Sequence, residues 1–174
     1  GKLRRSIAYI LGRVNAGAFS YRDGADLMAL SLYARTGGPD RGEHPDLPAA
    51  LPHNLTSAIN HLVDRFEINQ DAFGYWCYGG PGCRDSSTTQ FAVAGLSAAK
   101  TFYTTAPFTD AVRTANISAM LNLARVAYAS VPAQRPLPPG TERGHGYNLG
   151  HVNSLQQTGS GTWIQLAGGA DVND

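Results

Sequence analysis

The sequence predicts an all-α fold of about three helical hairpins in one domain, and three observations favour it. Apolar residues recur at spacings of three and four along several segments, as on one face of an amphipathic helix. Glycine and aromatic residues separate the two segments of each pair. The pattern Gln-x-x-x-Gly-x-Trp occurs at residues 70–76 and 157–163 and contains both tryptophans of the chain, which indicates a repeated unit.

The first hairpin is predicted over about residues 1–38. One apolar stripe stops at Asn15-Ala-Gly17 and a second at Gly37-Gly38-Pro39, because glycine and proline end helices. The segment from Pro39 to Pro52 contains four prolines, which predicts an exposed loop after this hairpin. The two stripes consist of Leu3, Ile7, Leu11 and Val14, and of Leu27, Leu30 and Ala34.

The second hairpin is predicted over about residues 52–104 and has the clearest helical period of the chain. Its turn runs over residues 74–82 and is rich in glycine. The sequence Ser87-Thr-Thr-Gln90 fits a capping box, in which a hydroxyl and an amide side chain satisfy free backbone N–H groups at a helix start. The apolar stripes are Leu55, Ile59, Leu62, Val63 and Phe66, followed by Phe91, Ala94, Ala98 and Phe102.

The third hairpin is predicted over about residues 108–170. Its first helix carries an apolar face, a proline-rich loop covers residues 132–143, and Ser154-Leu-Gln-Gln157 repeats the capping box. Gly146 is aligned with Gly74 and Gly17, so helix pairs are expected to recur and to stack on one another. An irregular helical bundle is the alternative. The apolar face consists of Ile117, Met120, Leu121, Ala124, Tyr128 and Val131.

Composition and charge exclude two classes of partner. The formal net charge is +1, which gives no electrostatic basis for binding nucleic acid or an anionic membrane. No apolar run approaches the roughly 20 residues that span a bilayer. Aromatic residues gather at the predicted turns, where they pack the repeats together or form a rim for an apolar ligand. They are Tyr75, Trp76, Tyr78, Tyr147 and Trp163.

The only two cysteines, Cys77 and Cys83, are six residues apart with glycine and proline between them. This loop is short enough to close, so a disulfide is predicted, with two free buried thiols as the alternative. A disulfide favours an oxidising, extracytoplasmic location, periplasmic or secreted. Residues 54–56 and 116–118 fit the glycosylation acceptor pattern, which also arises by chance. Low lysine against abundant arginine and alanine suggests a bacterial source.

The residues Gln70, Gly74 and Trp76, followed by residues 81–97, resemble the repeats of triterpene cyclases and of protein prenyltransferase β subunits. The resemblance implies an α/α toroid, in which outer and inner helices alternate around a ring. It also implies that the motif braces the fold, as the glutamine and tryptophan do in the cyclases. A complete toroid has about twice as many hairpins, so the chain is expected to be an open arc, part of a larger ring or one half of an assembly. The second copy of the motif comprises Gln157, Gly161 and Trp163.

The catalytic signatures of these families are not found in the chain. It contains no Asp-x-Asp-Asp motif of the cyclases. Thr88 occupies the position at which the prenyltransferase repeat carries a zinc-binding histidine, and a threonine cannot replace an imidazole in a zinc site. No catalytic residue is therefore predicted.

Residues 76–82 also resemble the zinc-binding turn of lanthionine cyclases, which form another α/α toroid. This resemblance implies that Cys77 is a zinc ligand. Together with Cys83, His145 and His151 it would form a closed Cys₂His₂ site of structural type. Zinc binding is the alternative to the disulfide.

Two functions follow from these observations. The favoured one is a non-catalytic α/α-toroid repeat module that acts as a scaffold or binding subunit of a larger assembly, because the bracing residues are present and the catalytic signatures are broken. It implies a protein partner or self-association. The alternative is that the chain is part of an enzyme of the terpene cyclase or prenyltransferase type, or of the lanthionine cyclase type, with the remaining residues elsewhere.

Overall fold

The computed structural model describes residues 1–39, 51–130, 134–136 and 143–171, and its fold is all-α, as predicted. Two helices lie within each of the three predicted hairpin ranges. No helix in these residues is both long and apolar enough to cross a membrane. The helices are α1 (Lys2–Arg13), α2 (Ser20–Arg35), α3 (Leu55–Asn69), α4 (Ser86–Tyr103), α5 (Ala111–Ala129) and α6 (Leu155–Ala167).

A short antiparallel ribbon precedes α6. Strand β1 (Gln134–Pro136) pairs with β2 (Arg143–His145), and Gln134 lies opposite His145. The segment predicted as a proline-rich loop therefore contains a strand where it is described. Proline is tolerated in such a short ribbon because an edge strand leaves backbone N–H groups without a ladder partner. Most of the linker predicted between Pro39 and Pro52 lies outside the described residues.

Three helices form a row in which each contacts the next: α2 contacts α4, and α4 contacts α6. The other three helices cover the helix row. Helix α1 packs on α2, α3 contacts α2 and α4, and α5 contacts α4 and α6. The hydrophobic core lies between the helix row and these covering helices. Its largest fully buried side chains are Trp76, Tyr128, Phe102, Leu11, Leu27, Leu30, Leu55, Ile59, Leu62, Leu96, Ile117 and Leu121.

Helices α2 and α4 run in the same direction at close range. The hydroxyl of Tyr21 donates to Ser87 near both helix starts, and one turn later Gly24 lies against Phe91. A Cβ atom added to Gly24 would overlap the carbonyl oxygen of Phe91, and one added to Gly95 would meet the Gly24 carbonyl oxygen at 2.8 Å. The two glycines therefore set how closely these helices approach.

The contact between neighbouring row helices recurs along the chain. At the start of α2, the backbone N–H and hydroxyl of Ser20 donate to the carbonyl oxygens of Tyr78 and Cys77. At the start of α4, the same groups of Ser86 donate to the carbonyl oxygens of Tyr147 and Gly146. Helices α2 and α4 are thus each bonded at their first residue to the turn that precedes the next row helix.

A second pair of hydrogen bonds recurs at the same spacing. The backbone N–H of Trp76 donates to the hydroxyl of Thr89 at 3.1 Å, and the N–H of His145 donates to Thr158 at 3.1 Å. These bonds match Gly146 with Cys77, whereas the glycine pattern of the sequence aligned Gly146 with Gly74. Hydrogen bonding, and not the spacing of glycines, therefore defines the equivalent positions.

The helix starts are capped mostly as their sequences indicate. Ser154 accepts a hydrogen bond from the N–H of Gln157, as predicted for α6. The start of α4 differs from the prediction because Asp85, and not Ser87, is the capping residue, and it accepts from the N–H of Thr88 at 2.8 Å. A carboxylate at this position also interacts favourably with the helix dipole.

A charged cluster joins the first three helices. Arg65 of α3 donates to the carbonyl oxygen of Val14 at 2.6 Å and to the carboxylate of Asp23 at 3.1 Å. It also donates to Nε2 of His61 at 2.7 Å, and the His61 ring lies 5.3 Å from that of His53. A neutral imidazole accepts this bond, so protonation of His61 would place two cations in contact.

Replacing Gly24 by alanine is expected to destabilise the fold. The new methyl group meets backbone of α4, which cannot rotate away as a side chain can, so the free energy of unfolding should fall by about 1–3 kcal/mol in urea titrations. Gly12→Ala is the matched control because its nearest atom would lie at 3.9 Å, and it should be neutral or slightly stabilising. Equal stability of the two variants would contradict the close approach of α2 and α4.

Lowering the pH is expected to destabilise the protein through His61. Its pKa lies below the ordinary value of 6.5, first because of burial and then because of Arg65 and His53, against which Asp64 and Asp23 act only weakly. The unfolded chain therefore binds this proton more readily, so the free energy of unfolding falls as the pH drops below about 6.5 and is unaffected above it.

Urea titrations at pH 7.5 and 5.5 measure this effect. The loss of stability at pH 5.5 should be smaller in His61→Gln than in the parent chain, whereas His151→Gln, at an exposed histidine, should behave like the parent. An unchanged pH dependence in His61→Gln would show that other groups control it.

Candidate functional site

The turn between α3 and α4 is closed by a disulfide. Cys77 and Cys83 are bonded at an S–S distance of 2.05 Å, which confirms the predicted pairing. The bond leaves no thiolate for a zinc ion, since the chain has no other cysteine. No group of three or more histidine, cysteine or acidic side chains within the described ranges could hold a metal ion.

The two histidines of the alternative zinc set occupy different environments. His145 is buried, with its ring 5.2 Å from that of Tyr128 and its Nε2 3.3 Å from the amide nitrogen of Gln165. His151 is exposed and lines a surface cleft. The backbone N–H of His145 makes the same bond that the N–H of Trp76 makes in the preceding unit, so His145 occupies a packing position.

The first Gln-x-x-x-Gly-x-Trp copy braces the end of α3. Trp76 is fully buried, and its indole N–H donates to the carbonyl oxygen of Phe66 at 2.8 Å. The amide of Gln70 donates to the carbonyl oxygen of Met120 on α5 at 2.9 Å. Gly74 has a φ of 97°, and a Cβ there would meet the Leu123 carbonyl oxygen at 2.5 Å. Only glycine fits between this turn and α5.

The second copy has a different structure. Gln157, Gly161 and Trp163 all lie inside α6, whereas the first copy leaves a helix and enters a turn. Gly161 lies against the His145 ring, and Trp163 is 38% exposed. The same residue pattern therefore holds a turn together in one place and forms part of a helix in the other.

Thr88 packs inside the fold at the start of α4. It is fully buried, and its hydroxyl donates to the carbonyl oxygen of Trp76 at 2.7 Å. This bond joins the start of α4 to the disulfide turn, so the residue at the prenyltransferase ligand position stabilises the local fold.

Four hydroxyl groups meet where the row helices begin, and we call them the hydroxyl cluster: those of Tyr21, Tyr78, Ser87 and Tyr147. The hydroxyl of Tyr21 donates to that of Ser87, and the Tyr78 and Tyr147 oxygens share a hydrogen bond of 2.6 Å. Ser87 also lies 3.3 Å from the Tyr147 oxygen. The cluster combines side chains from α2, the disulfide turn, α4 and the turn before α6, so only the folded row brings it together.

A buried carboxylate orients the cluster. Asp85 is 1% exposed and accepts hydrogen bonds from Ser87 at 2.6 Å and from Tyr78 at 3.4 Å. None of the ion pairs among the described residues includes it. Its negative charge is stabilised by these hydroxyls and by its place at the N-terminus of α4. Because the carboxylate can only accept, it fixes the direction in which Ser87 donates.

Burial and hydrogen bonding favour the neutral form of two of these tyrosine hydroxyls. Burial raises the pKa of Tyr21, and the hydrogen bond with Tyr147 followed by burial raises the pKa of Tyr78. These two hydroxyls therefore stay protonated at physiological pH, and each can donate and accept hydrogen bonds.

An aromatic surface and an open cleft adjoin the cluster. The rings of Phe19, Tyr21 and Tyr78 lie with their centroids 5.7–6.1 Å apart. Tyr147 is shared between the cluster and the cleft, whose remaining lining is contributed by the loop before α6 and the first turn of α6. The cleft is lined by Tyr147, Gly150, His151, Val152, Ser154, Gln156 and Gln157.

The sequence indicated half of this site. The gathering of aromatic residues at the turns pointed to Tyr78 and Tyr147, but nothing in the sequence marked Tyr21 or Asp85 as part of a site. Ser87 was predicted only as a capping residue, so its position at a helix start was visible and its proximity to Tyr21 was not. Comparison of the chain with protein-family models, curated proteins and solved structures gives no match.

Reducing the disulfide is expected to weaken the fold measurably. A bond that closes a loop this short contributes about 2 kcal/mol through the unfolded state. Urea titrations with and without a phosphine reductant should show a loss of about that size. The double variant Cys77→Ala/Cys83→Ala should not respond to the reductant. Two titratable thiols in denatured, unreduced protein would contradict the disulfide.

Proposed function

We propose that the chain is a non-catalytic α/α-toroid repeat module that acts as a scaffold or binding subunit of a larger assembly. The recurring contacts between row helices support a repeat architecture, since two successive steps use equivalent hydrogen bonds. The residues for which chemistry could be expected are engaged in structure. The cysteines form a disulfide, Thr88 joins a helix to a turn, and His145 packs in the core.

The observation that carries this proposal is the uncovered face of α6. Ser20 and Ser86 start their row helices and are buried against the following unit. Leu155 starts α6 at the equivalent position and is 87% exposed. Leu166 on the same helix is 48% exposed, whereas Ser31, its equivalent in α2, is fully buried. The face by which each row helix contacts the next is therefore apolar and open on α6.

The opposite end of the row is open as well. Helix α3 contacts both α2 and α4, and α5 contacts both α4 and α6, whereas α1 makes its main contact within the described residues with one row helix, α2. Leu3 of α1 is exposed there. Both ends of the described row therefore carry exposed apolar side chains, whereas a unit that caps a repeat protein presents polar ones.

A second copy of the chain fits both ends. The contact between row helices is directional, because the two helices use different faces in it. The open face of α6 is therefore expected to pack on the end of the row formed by α1 and α2, and not on the same face of a second α6. In the proposed assembly, two copies join head to tail through two such contacts, and each contributes three units. The toroid expected from the sequence resemblance has this number of units. We therefore take the second copy as the partner.

The disulfide supports a location outside the reducing cytoplasm. Disulfides persist in oxidising compartments, and the bond lies in a turn that ties α2 to α4. The proposal therefore places the module in an extracytoplasmic compartment.

Light scattering after size-exclusion chromatography tests the assembly. The expected mass is twice the 18.5 kDa of the chain. Leu166→Arg places a charge in the contact and should raise the dissociation constant at least about tenfold, giving the monomer mass. Ile68→Arg, at an exposed apolar residue on the covering helix α3, should remain dimeric.

Two results would contradict the proposal. One is a monomer mass for the parent chain at all concentrations up to the highest that remains soluble. The other is a dimer that Ile68→Arg dissociates and Leu166→Arg does not, because the contact would then involve the covering helices.

A further inference from the structure

We infer that the hydroxyl cluster and the adjoining cleft form a binding site for an uncharged, hydroxyl-rich ligand, namely the pyranose rings of an oligosaccharide. The inference does not rest on the proposed assembly. It follows from the hydroxyl groups at the site, from the ion pairs that engage the nearby arginines, and from the exposure of the aromatic rings.

The site is continuous across the starts of three helices. Tyr21 and Ser87 lie in α2 and α4 at equivalent positions, one residue after the helix start, and Gln156 occupies that position in α6. Tyr147 connects the cluster to the cleft that Gln156 lines. Polar side chains therefore follow one another across three neighbouring helices, and packed helix axes lie roughly 8–10 Å apart, which gives room for more than one sugar ring.

The hydroxyl groups suit a ligand that both donates and accepts hydrogen bonds. Tyr78 and Tyr147 are each 39% exposed, and either oxygen can be the donor in the bond between them. A ligand hydroxyl can replace one partner of this exposed hydrogen bond without leaving a buried polar group unsatisfied. The inner side of the cluster is fixed by Asp85, which orients Ser87. Sugar hydroxyls have the same dual hydrogen-bonding capacity as these tyrosines.

The charged groups beside the hydroxyl cluster favour an uncharged ligand over an ionic one. The nearby arginines are engaged elsewhere: Arg22 donates to the Gly17 carbonyl oxygen and to Asp23, and Arg84 lies 3.5 Å from Asp71. An anionic ligand would therefore find no unengaged arginine at the cluster. A cationic ligand could not reach the carboxylate of Asp85, which is buried.

The aromatic rings favour a sugar over a quaternary ammonium ion. The centroids of Phe19, Tyr21 and Tyr78 lie at the distances of rings in direct contact, so no cage remains between them for such a cation. Phe19 and Tyr78 nevertheless expose part of their rings to solvent. A pyranose has one face of C–H groups that packs on an aromatic ring while its hydroxyls remain at the edge.

The test is affinity electrophoresis at pH 7.5 in native gels that contain one soluble polysaccharide each. The neutral panel is a β-1,4-glucan, an α-1,4-glucan and a β-1,4-mannan, and the anionic one is polygalacturonate. At least one neutral polysaccharide should retard the protein. The hexasaccharide of the same sugar should then bind in calorimetry, which gives the dissociation constant of the parent chain.

Variants locate the site. Tyr78→Ala and Tyr147→Ala should each raise the dissociation constant at least about tenfold, and Tyr147→Phe, which keeps the ring, should raise it less. Tyr9→Ala removes an exposed tyrosine from α1 and should leave the dissociation constant unchanged within about twofold. Leu166→Arg should also bind normally, so that failure of the assembly and failure of the site can be told apart.

Three results would overturn the inference. They are no retardation by any neutral polysaccharide, retardation by polygalacturonate alone, and binding that Tyr78→Ala and Tyr147→Ala leave unchanged while both variants remain folded by circular dichroism.

Discussion

The close parallel packing of α2 on α4 is the constraint on which the rest of the structure depends. It needs a residue without a side chain at Gly24 and Gly95, because each Cβ position is occupied by backbone of the other helix. This approach places the start of α2 beside the disulfide turn, where Ser20 can bond to Cys77 and Tyr78. The next step of the row uses equivalent bonds between Ser86 and the turn before α6. The helices themselves meet differently there, because the hydroxyl of Ser160 donates to the side chain of Gln90 at 2.6 Å. Recurring hydrogen bonds at the helix starts, and not identical contacts along the helices, therefore define the repeat.

The same few residues stabilise the fold and form the candidate site. Asp85 caps α4 and also accepts the hydrogen bond of Ser87, so a residue needed for helix stability orients a surface cluster. Tyr78 belongs to the disulfide turn, and its backbone carbonyl holds α2 while its hydroxyl points into the cluster. A site supported in this way is rigid, because its members are held by the helix starts and by a covalent loop. Such rigidity reduces the entropy lost on binding.

The two copies of the Gln-x-x-x-Gly-x-Trp pattern show how far a local motif can be interpreted. In the first copy, Gly74 has a left-handed backbone conformation, and Trp76 enters the core. In the second, Gly161 is helical and Trp163 remains partly exposed. A spacing of four residues from the glutamine to the glycine is compatible with a helix or with a turn, and the surrounding chain decides between them. The disulfide follows the first copy directly and has no counterpart after the second.

The sequence alone determined the elements that depend on local physics. Helical periodicity located the apolar faces of the helices, glycine and proline marked their ends, and the spacing of Cys77 and Cys83 identified the disulfide. The tertiary structure decided which turns are equivalent, because that depends on bonds between residues far apart, such as Ser86 and Gly146. It also decided that Tyr21 and Tyr147 share one surface. Local patterns carry no information on such distances, because these residues meet only through the packing of the helices. That packing depends on the close approach of α2 and α4 at Gly24.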